Sequence, residues 1–306
     1  MGALRALRAW AGIKYLGSKR TLLPVIVEAV RAAAGEDSPS PASSPTGVTV
    51  LDLFSGTSRV GHALKQAGFH VIANDHNAYA ATLARCYVQA DREQVARDAA
   101  LLVDEFNALP GRAGYVTETF CTRSRYFQPH NGERIDAIRE SIAAKGLAPE
   151  LEAVMLVSLM EAADRVDSTT GVQMAYLKKW APRSFNRLEL RVPDLLPRPA
   201  AGKCLALELD AFDAAAEVEA GVAYIDPPYN QHSYLGNYHI WETLVRWDKP
   251  EVYGIACKRI DCQDRRSVFN SRPRFQAALR RLLHTVRART LIVSFGNEGY
   301  LPRESM

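Results

Sequence analysis

Apolar residues recur along this chain at two spacings, and the switches between them mark its elements. At 20–34, RTLLPVIVEAVRAAA sets Leu22, Leu23, Ile26 and Val30 at helical intervals with Gly35 as a stop, which predicts a short helix. From Val48 the pattern becomes a continuous apolar run, VTVLDLF, closed by the small-residue turn Ser55-Gly56-Thr57-Ser58. Helical spacing returns in RVGHALKQAG, Gly68 ends it, and FHVIA (69–73) is a second strand. Strand, helix and strand in this order form a βαβ unit and hence a parallel sheet. The strand pattern reappears at KCLALELD (203–210), GVAYID (221–226) and TLIVSFGN (290–297), with a helix expected around Arg274 to Arg287.

Between these blocks the rhythm differs. Gly132 to Lys145 aligns Ile135, Ile138 and Ile142 on one face, Pro149 to Val166 is a second helix, and no βαβ alternation is visible from 106 to 200. The pattern predicts a doubly wound, Rossmann-like α/β domain made of 12–105 and 201–306, interrupted by a mainly helical insertion at 106–200. Residues 35–47, GEDSPSPASSPTG, are too poor in apolar groups to order themselves and read as a flexible surface loop.

Composition narrows the class without choosing the function. With 306 residues, 47% of them hydrophobic, a sizeable core is expected. A net charge of +4 permits a polyanionic partner but does not demand one. Five scattered cysteines without paired spacing read as reduced thiols of a cytoplasmic protein, and Cys257 with Cys262 makes a poor zinc pair, so no metal is expected. No run approaches the roughly 20 apolar residues of a membrane helix.

Candidate chemistry begins at the first strand's end. In doubly wound sheets ligands bind beyond the carboxyl ends of the strands, where Asp52 to Gly61 (DLFSGTSRVG) lies. Asp75, after the next strand, is placed to accept ribose hydroxyls. The glycines do not form the dinucleotide pattern GxGxxG, which disfavours NAD; taken alone, the loop could equally be a generic tight turn.

The chain then reads YIDPPYN at 224–230, a strand ending in an aspartate, two prolines and an aromatic. Successive prolines stiffen the backbone and remove two amide donors, leaving an acceptor-rich turn beside a flat ring. An exocyclic base amine is a poor nucleophile because its lone pair is delocalised. Asp226 and the Pro227 carbonyl would accept its two N–H groups and bring the nitrogen toward tetrahedral geometry, with Pro228 as stiffener and Tyr229 stacking on a base flipped from the duplex. The bland alternative is a rigid turn.

These motifs, in this order, resemble the D12-class, Dam-like N6-adenine DNA methyltransferases over nearly the whole chain. The resemblance implies a methyltransferase sheet that binds S-adenosyl-L-methionine. Lys14 to Arg20 (KYLGSKR) is similar to the family segment lying against that methyl donor, implying contacts from Tyr15 and Lys19. Asp52, Phe54 and Gly56 correspond to its cofactor loop, Asp75 to its ribose acid, and Asp226 to Tyr229 to its catalytic motif, whose aspartate also touches the cofactor. Two departures stand out: Ser58 replaces a second loop glycine, and only nine residues follow Asn297, so the family's C-terminal β-hairpin is expected to be missing.

The family places target recognition where the 106–200 insertion lies, which implies double-stranded DNA as the partner, with a cognate restriction endonuclease as a further one. Within it, Lys178, Lys179, Arg183, Arg187 and Arg191 interleave with Tyr176, Trp180 and Phe185, and Arg123 with Arg125 forms another candidate DNA contact. A second basic stretch runs from Cys257 to Arg274. A solvated face with buried aromatics would explain such runs equally well. His232, His239, Trp241 and Trp247 read as loop and core residues. Three alternatives stay open: an adenine-N6 methyltransferase of ribosomal RNA, an N4-cytosine enzyme, and a catalytically incomplete DNA-binding homologue.

Overall fold

The computed structural model describes residues 12–17, 19–35, 47–296 and 299–300. In chain order the elements are helix α1 (Leu23–Ala34), strand β1 (Thr49–Asp52), α2 (Arg59–Gln66), β2 (His70–Asn74), α3 (Ala78–Ala84), α4 (Arg92–Ala108), α5 (Pro129–Lys145), α6 (Pro149–Val166), β3 (Leu205–Leu207), α7 (Ala211–Glu217), β4 (Glu219–Ile225), α8 (Tyr234–Asn237), α9 (His239–Arg246), β5 (Val252–Tyr253), β6 (Lys258–Arg259), α10 (Arg272–Thr285) and β7 (Arg287–Val293). They belong to two compact units. One gathers Ser18–Asp91, Leu196–Ser233 and Arg265–Met306, the other Met1–Gly17, Arg92–Leu195 and Tyr234–Asp264.

The first unit is a parallel sheet in the order β3-β2-β1-β4-β7. Every pairing in it is parallel, so each connection is a crossover. Because helices cover such a sheet, its inner strands are apolar on both faces: Leu51, Ala223 and Ile225 join Phe269, Phe275, Leu279 and Leu282 in one buried cluster. Burying each large member stabilises by roughly 1.5–3 kcal/mol. The 35–47 loop and the residues beyond Asn297 fall, apart from Gly35, Gly47 and 299–300, outside the described residues. Of the expected strands, KCLALELD shortens to three residues, and the last helix runs from Arg272 to Thr285. Neither α7 nor the continuation of α3 as a wide turn at Arg85–Gln89 is among the elements expected from the apolar pattern.

The second unit is mainly helical and differs in extent from the expected 106–200 insertion. It takes the segment before Ser18, the stretch from α4 to Leu195, and also α8, α9 and the β5–β6 hairpin. Helix α6 has the expected bounds, and α5 starts three residues earlier, at Pro129, whose ring suits a first helical turn. Polar side chains organise the interior. Asp136 accepts hydrogen bonds from the backbone N–H groups of Gly114, Val116 and Thr117 and from the Thr117 hydroxyl, at 2.7–2.9 Å. Arg134 donates to the carbonyls of Leu188, Leu109 and Asn107, and Arg139 to those of Leu244 and Val245. His239 is fully buried with Nε2 3.0 Å from the Gln173 carbonyl, and burial presses its pKa down to about 3. Trp241 is likewise core.

All five cysteines are free and buried, Cys86 and Cys204 in the sheet unit, Cys121, Cys257 and Cys262 in the helical one.

Candidate active site

Strand register gathers the acidic candidates of the sheet unit. Asp52 pairs with Tyr224 across β1 and β4, so it lies beside the strand end that runs on into Asp226. Asp75 follows β2, the neighbour of β1 on the other side. Three carboxylates thus leave one edge of the sheet, the carboxyl edge at which this architecture binds ligands.

Their surroundings leave them short of countercharge. Asp52 is buried, its Oδ2 accepting from Gly61 N at 3.1 Å, and burial together with the charge of Asp226 raises its pKa to about 7. Burial also lifts Asp75, against the pull of His76 and of hydrogen bonds from Gly56 N at 3.0 Å and from the Asn77 backbone and side-chain amides. Asp226 is raised by burial and lowered by Lys19, whose Nζ lies 3.0 Å from Oδ1. That approach is an ion pair outside hydrogen-bonding angles, so buried Oδ1 accepts no aligned hydrogen bond among the described residues.

The loop after β1 is shaped by two left-handed residues, Gly56 at φ 52° and Ser58 at φ 59°. Ser58 therefore holds, at a cost of about 1–2 kcal/mol, a conformation that glycine adopts freely. Bonds from Ser58 N to the Ser55 carbonyl, 2.8 Å, and between the two hydroxyls, 3.1 Å, keep it there. A side chain on Gly61 would collide with Val88, its Cβ falling 2.8 Å from Cγ2. Phe54 packs edge-on to Phe269 at 5.4 Å.

Beyond β4, the bond from Ser294 N to the Ile225 carbonyl (2.9 Å) continues the pairing up to Asp226. Pro227 is buried and Pro228 partly so. The Tyr229 ring leans on Phe295, centroids 5.2 Å apart, which in turn meets Phe275. Gly296 lies so close that a Cβ there would be 3.0 Å from the Tyr229 hydroxyl. Lys19 Nζ is 5.7 Å from the Tyr229 centroid, so one cation faces both the acid and the ring of the motif.

A family model for D12 class N6 adenine-specific DNA methyltransferases matches residues 15–292. The chain belongs to this family. Its relatives include the modification methylase StsI of Streptococcus sanguinis, 28% identical over 96% of this chain and 45% of that protein, and the type II methyltransferase M.FokI of Planomicrobium okeanokoites, 28% identical over 96% and 46%. The type II methyltransferase M.NlaIII of Neisseria lactamica is 28% identical over 94% of this chain and 85% of its own. The chain thus spans about half the length of the first two. No solved structure matches it.

Of the residues expected from the D12-class resemblance, Lys19, Asp52, Phe54, Gly56, Asp75 and Asp226 to Tyr229 all fall in the sheet unit. Tyr15 falls in the helical unit, stacked on Tyr238 at 4.5 Å and Tyr234 at 5.3 Å. The DNA candidates, all in the helical unit, divide sharply. Arg123, Lys178, Lys179 and Arg187 are exposed, and Arg187 with Phe185 and His130 lines an open groove of about 620 Å³. Arg183 is instead committed to Asp167 and the Thr169 carbonyl, and Arg125 to the Lys178 carbonyl and the Trp180 ring. Arg259 of the second basic stretch is buried, clamped by Asp248 and Asp261.

Sequence reading missed two braces. Asn74 donates to the Leu53 and Leu209 carbonyls and accepts from Leu209 N, locking β1 to the segment after β3; its only signal was an asparagine inside an apolar strand end. Asn270 ties down the loop after Tyr229 by donating to the Asn230 and His232 carbonyls at 2.8 and 3.0 Å, and nothing in the sequence marks it.

Proposed function

We propose that this protein methylates the N6 amino group of adenine in double-stranded DNA, as part of restriction-modification or genome marking, with S-adenosyl-L-methionine as methyl donor. The observation that carries this reading is the buried Asp226 Oδ1, an acceptor without an aligned partner, in a DPPY turn at the carboxyl edge of the sheet. Three raised carboxylates fit a cationic ligand, because a positive charge among them relieves the repulsion and desolvation that disfavour their ionised forms. Asp75 would hold the ribose through lone pairs not used by Gly56 and Asn77, and Gly56 would admit the ligand close to the backbone.

When bound, the donor supplies an already activated methyl sulfonium. The protein's part is positional: Asp226 and the Pro227 carbonyl accept the two amine N–H groups in hydrogen bonds, Tyr229 stacks on the base, and Lys19 favours the ionised form of Asp226. Water can remove the proton released after transfer, so no general base is required. Target recognition belongs on the helical unit, where its exposed cations suit phosphates.

The test is methyl transfer with labelled donor to duplex DNA and to ribosomal RNA, followed by nucleoside analysis. N6-methyladenine from DNA alone is expected. Label in ribosomal RNA only, or in N4-methylcytosine, would overturn the assignment, and donor binding without any transfer would make this a non-catalytic homologue.

A further inference from the structure

The most exposed large apolar side chain among the described residues is Ile255, at 82%. It stands at the tip of the hairpin in which β5 and β6 pair Val252 with Arg259 and Tyr253 with Lys258. A lone exposed isoleucine on a mobile loop would mean little, but this tip is braced. Gly254 and Cys257 both take left-handed φ, 66° and 46°, and Cys257 N bonds back to the Gly254 carbonyl at 3.1 Å. The Cys257 side chain turns inward to 2% exposure, and the hydroxyl of buried Tyr126 donates to the Ala256 carbonyl. At the base, Arg259 is held by both oxygens of Asp248, 2.7 Å each, and by Asp261.

The same brace reaches a cationic segment. Tyr126 also donates to the Gln173 carbonyl and packs against Tyr176, and its neighbour Arg125 donates to the Lys178 carbonyl. Exposed Lys178 and Lys179 are thereby carried on a segment tied to the hairpin's own anchor, with Lys258 on the hairpin itself. Of the acids near the hairpin base, Asp248 and Asp261 are taken up by Arg259, while Glu251 is exposed.

We infer that the Ile255 hairpin is a wedge that enters duplex DNA and unstacks a base step, while the neighbouring lysines hold the phosphates. Small apolar side chains on rigid supports do this elsewhere by partial insertion between bases, and the unstacking gained lowers the cost of extruding a base. The exposed lysines favour a polyanion over an apolar protein partner. The inference rests on the proposed DNA substrate.

The experiment separates the two. Full-length protein with donor is bound to nicked plasmid DNA, the nick is sealed by ligase, and linking number is read on a gel; no methyl transfer is needed for a shift. Wild-type protein is expected to shift the topoisomer distribution, whereas Ile255→Ala and Ile255→Ser, both at an exposed site, bind the plasmid within about threefold yet lose the shift. Their transfer rate to duplex DNA should fall about tenfold, the size of effect expected for partly lost unstacking. An unchanged shift in the variants, or none with wild type, overturns the wedge. So does a change in solution mass on substituting Ile255, which would make the tip a contact between protein copies. A shift without methyl transfer by wild type would leave the wedge standing and remove the proposed enzyme activity.

Discussion

Two groups of buried charges, one in each unit, are treated in opposite ways. In the helical unit one group is used up by the fold: Asp136 accepts four hydrogen bonds, Arg134 and Arg139 donate to carbonyls, and Arg259 is clamped between two carboxylates, although Asp164 of the same unit is raised to about 7 by burial and by Asp167. In the sheet unit Asp52, Asp75 and Asp226 have raised pKa values, with Lys19 3.0 Å from Asp226 and 5.7 Å from the Tyr229 ring. The first arrangement holds a shape. The second stores unfavourable electrostatics that a ligand can release, which is what a binding site has and a core avoids.

Breaking each side of that contrast should give a different signature. The largest effect is expected from Asp226→Asn: transfer falls by about a thousandfold or more, in line with losing an electrostatic contact made at the reacting group. Its thermal unfolding midpoint stays equal or rises, because a desolvated carboxylate has been removed; single-turnover kinetics beside calorimetry checks both halves. Asp136→Ala does the reverse. Leaving the N–H groups of Gly114, Val116 and Thr117 without their acceptor should cost about 3 kcal/mol in urea denaturation.

Acidity sharpens the comparison further. Asp52 has a raised pKa in the free protein, about 7, and a cation binds only its ionised form well. Donor affinity is therefore full above that pH and lost as pH falls through it, about tenfold between pH 8 and pH 6 for one proton. Calorimetric titration should show this slope, and Asp52→Asn should flatten it.

The smallest effects belong to the exposed lysines. Lys178→Ala or Lys179→Ala should each reduce the log–log salt slope of duplex binding by about 0.9 with little change in stability. Arg183→Ala, which breaks its bonds to Asp167, should lower stability and leave that slope nearly intact.

Much of the sheet unit could be read before the structure because its signals are local. A continuous apolar run makes a parallel strand, and DPPY at its end announces itself within four residues. The makeup of the helical unit was not legible, since α9 and the hairpin join it from beyond the DPPY turn through contacts no short window contains. The basic runs were misleading for a related reason. Arg183, Arg187 and Arg259 look alike in sequence, yet one is pinned, one is exposed and one is buried, and the difference lies in Asp167, Asp248 and Asp261. Tyr15 and Lys19 are four residues apart and fall in different units for the same reason.

The buried thiols give the two units separate clocks. Cys204 and Cys86 react with an alkylating reagent only when the sheet unit opens, and Cys121, whose pKa burial pushes up to about 12, only when the helical unit does. Site-resolved labelling by mass spectrometry would thus time each unit's opening in the unmodified chain. Donor should slow the first clock and leave the second nearly unchanged, so one experiment reports where the ligand binds and how far its stabilisation spreads.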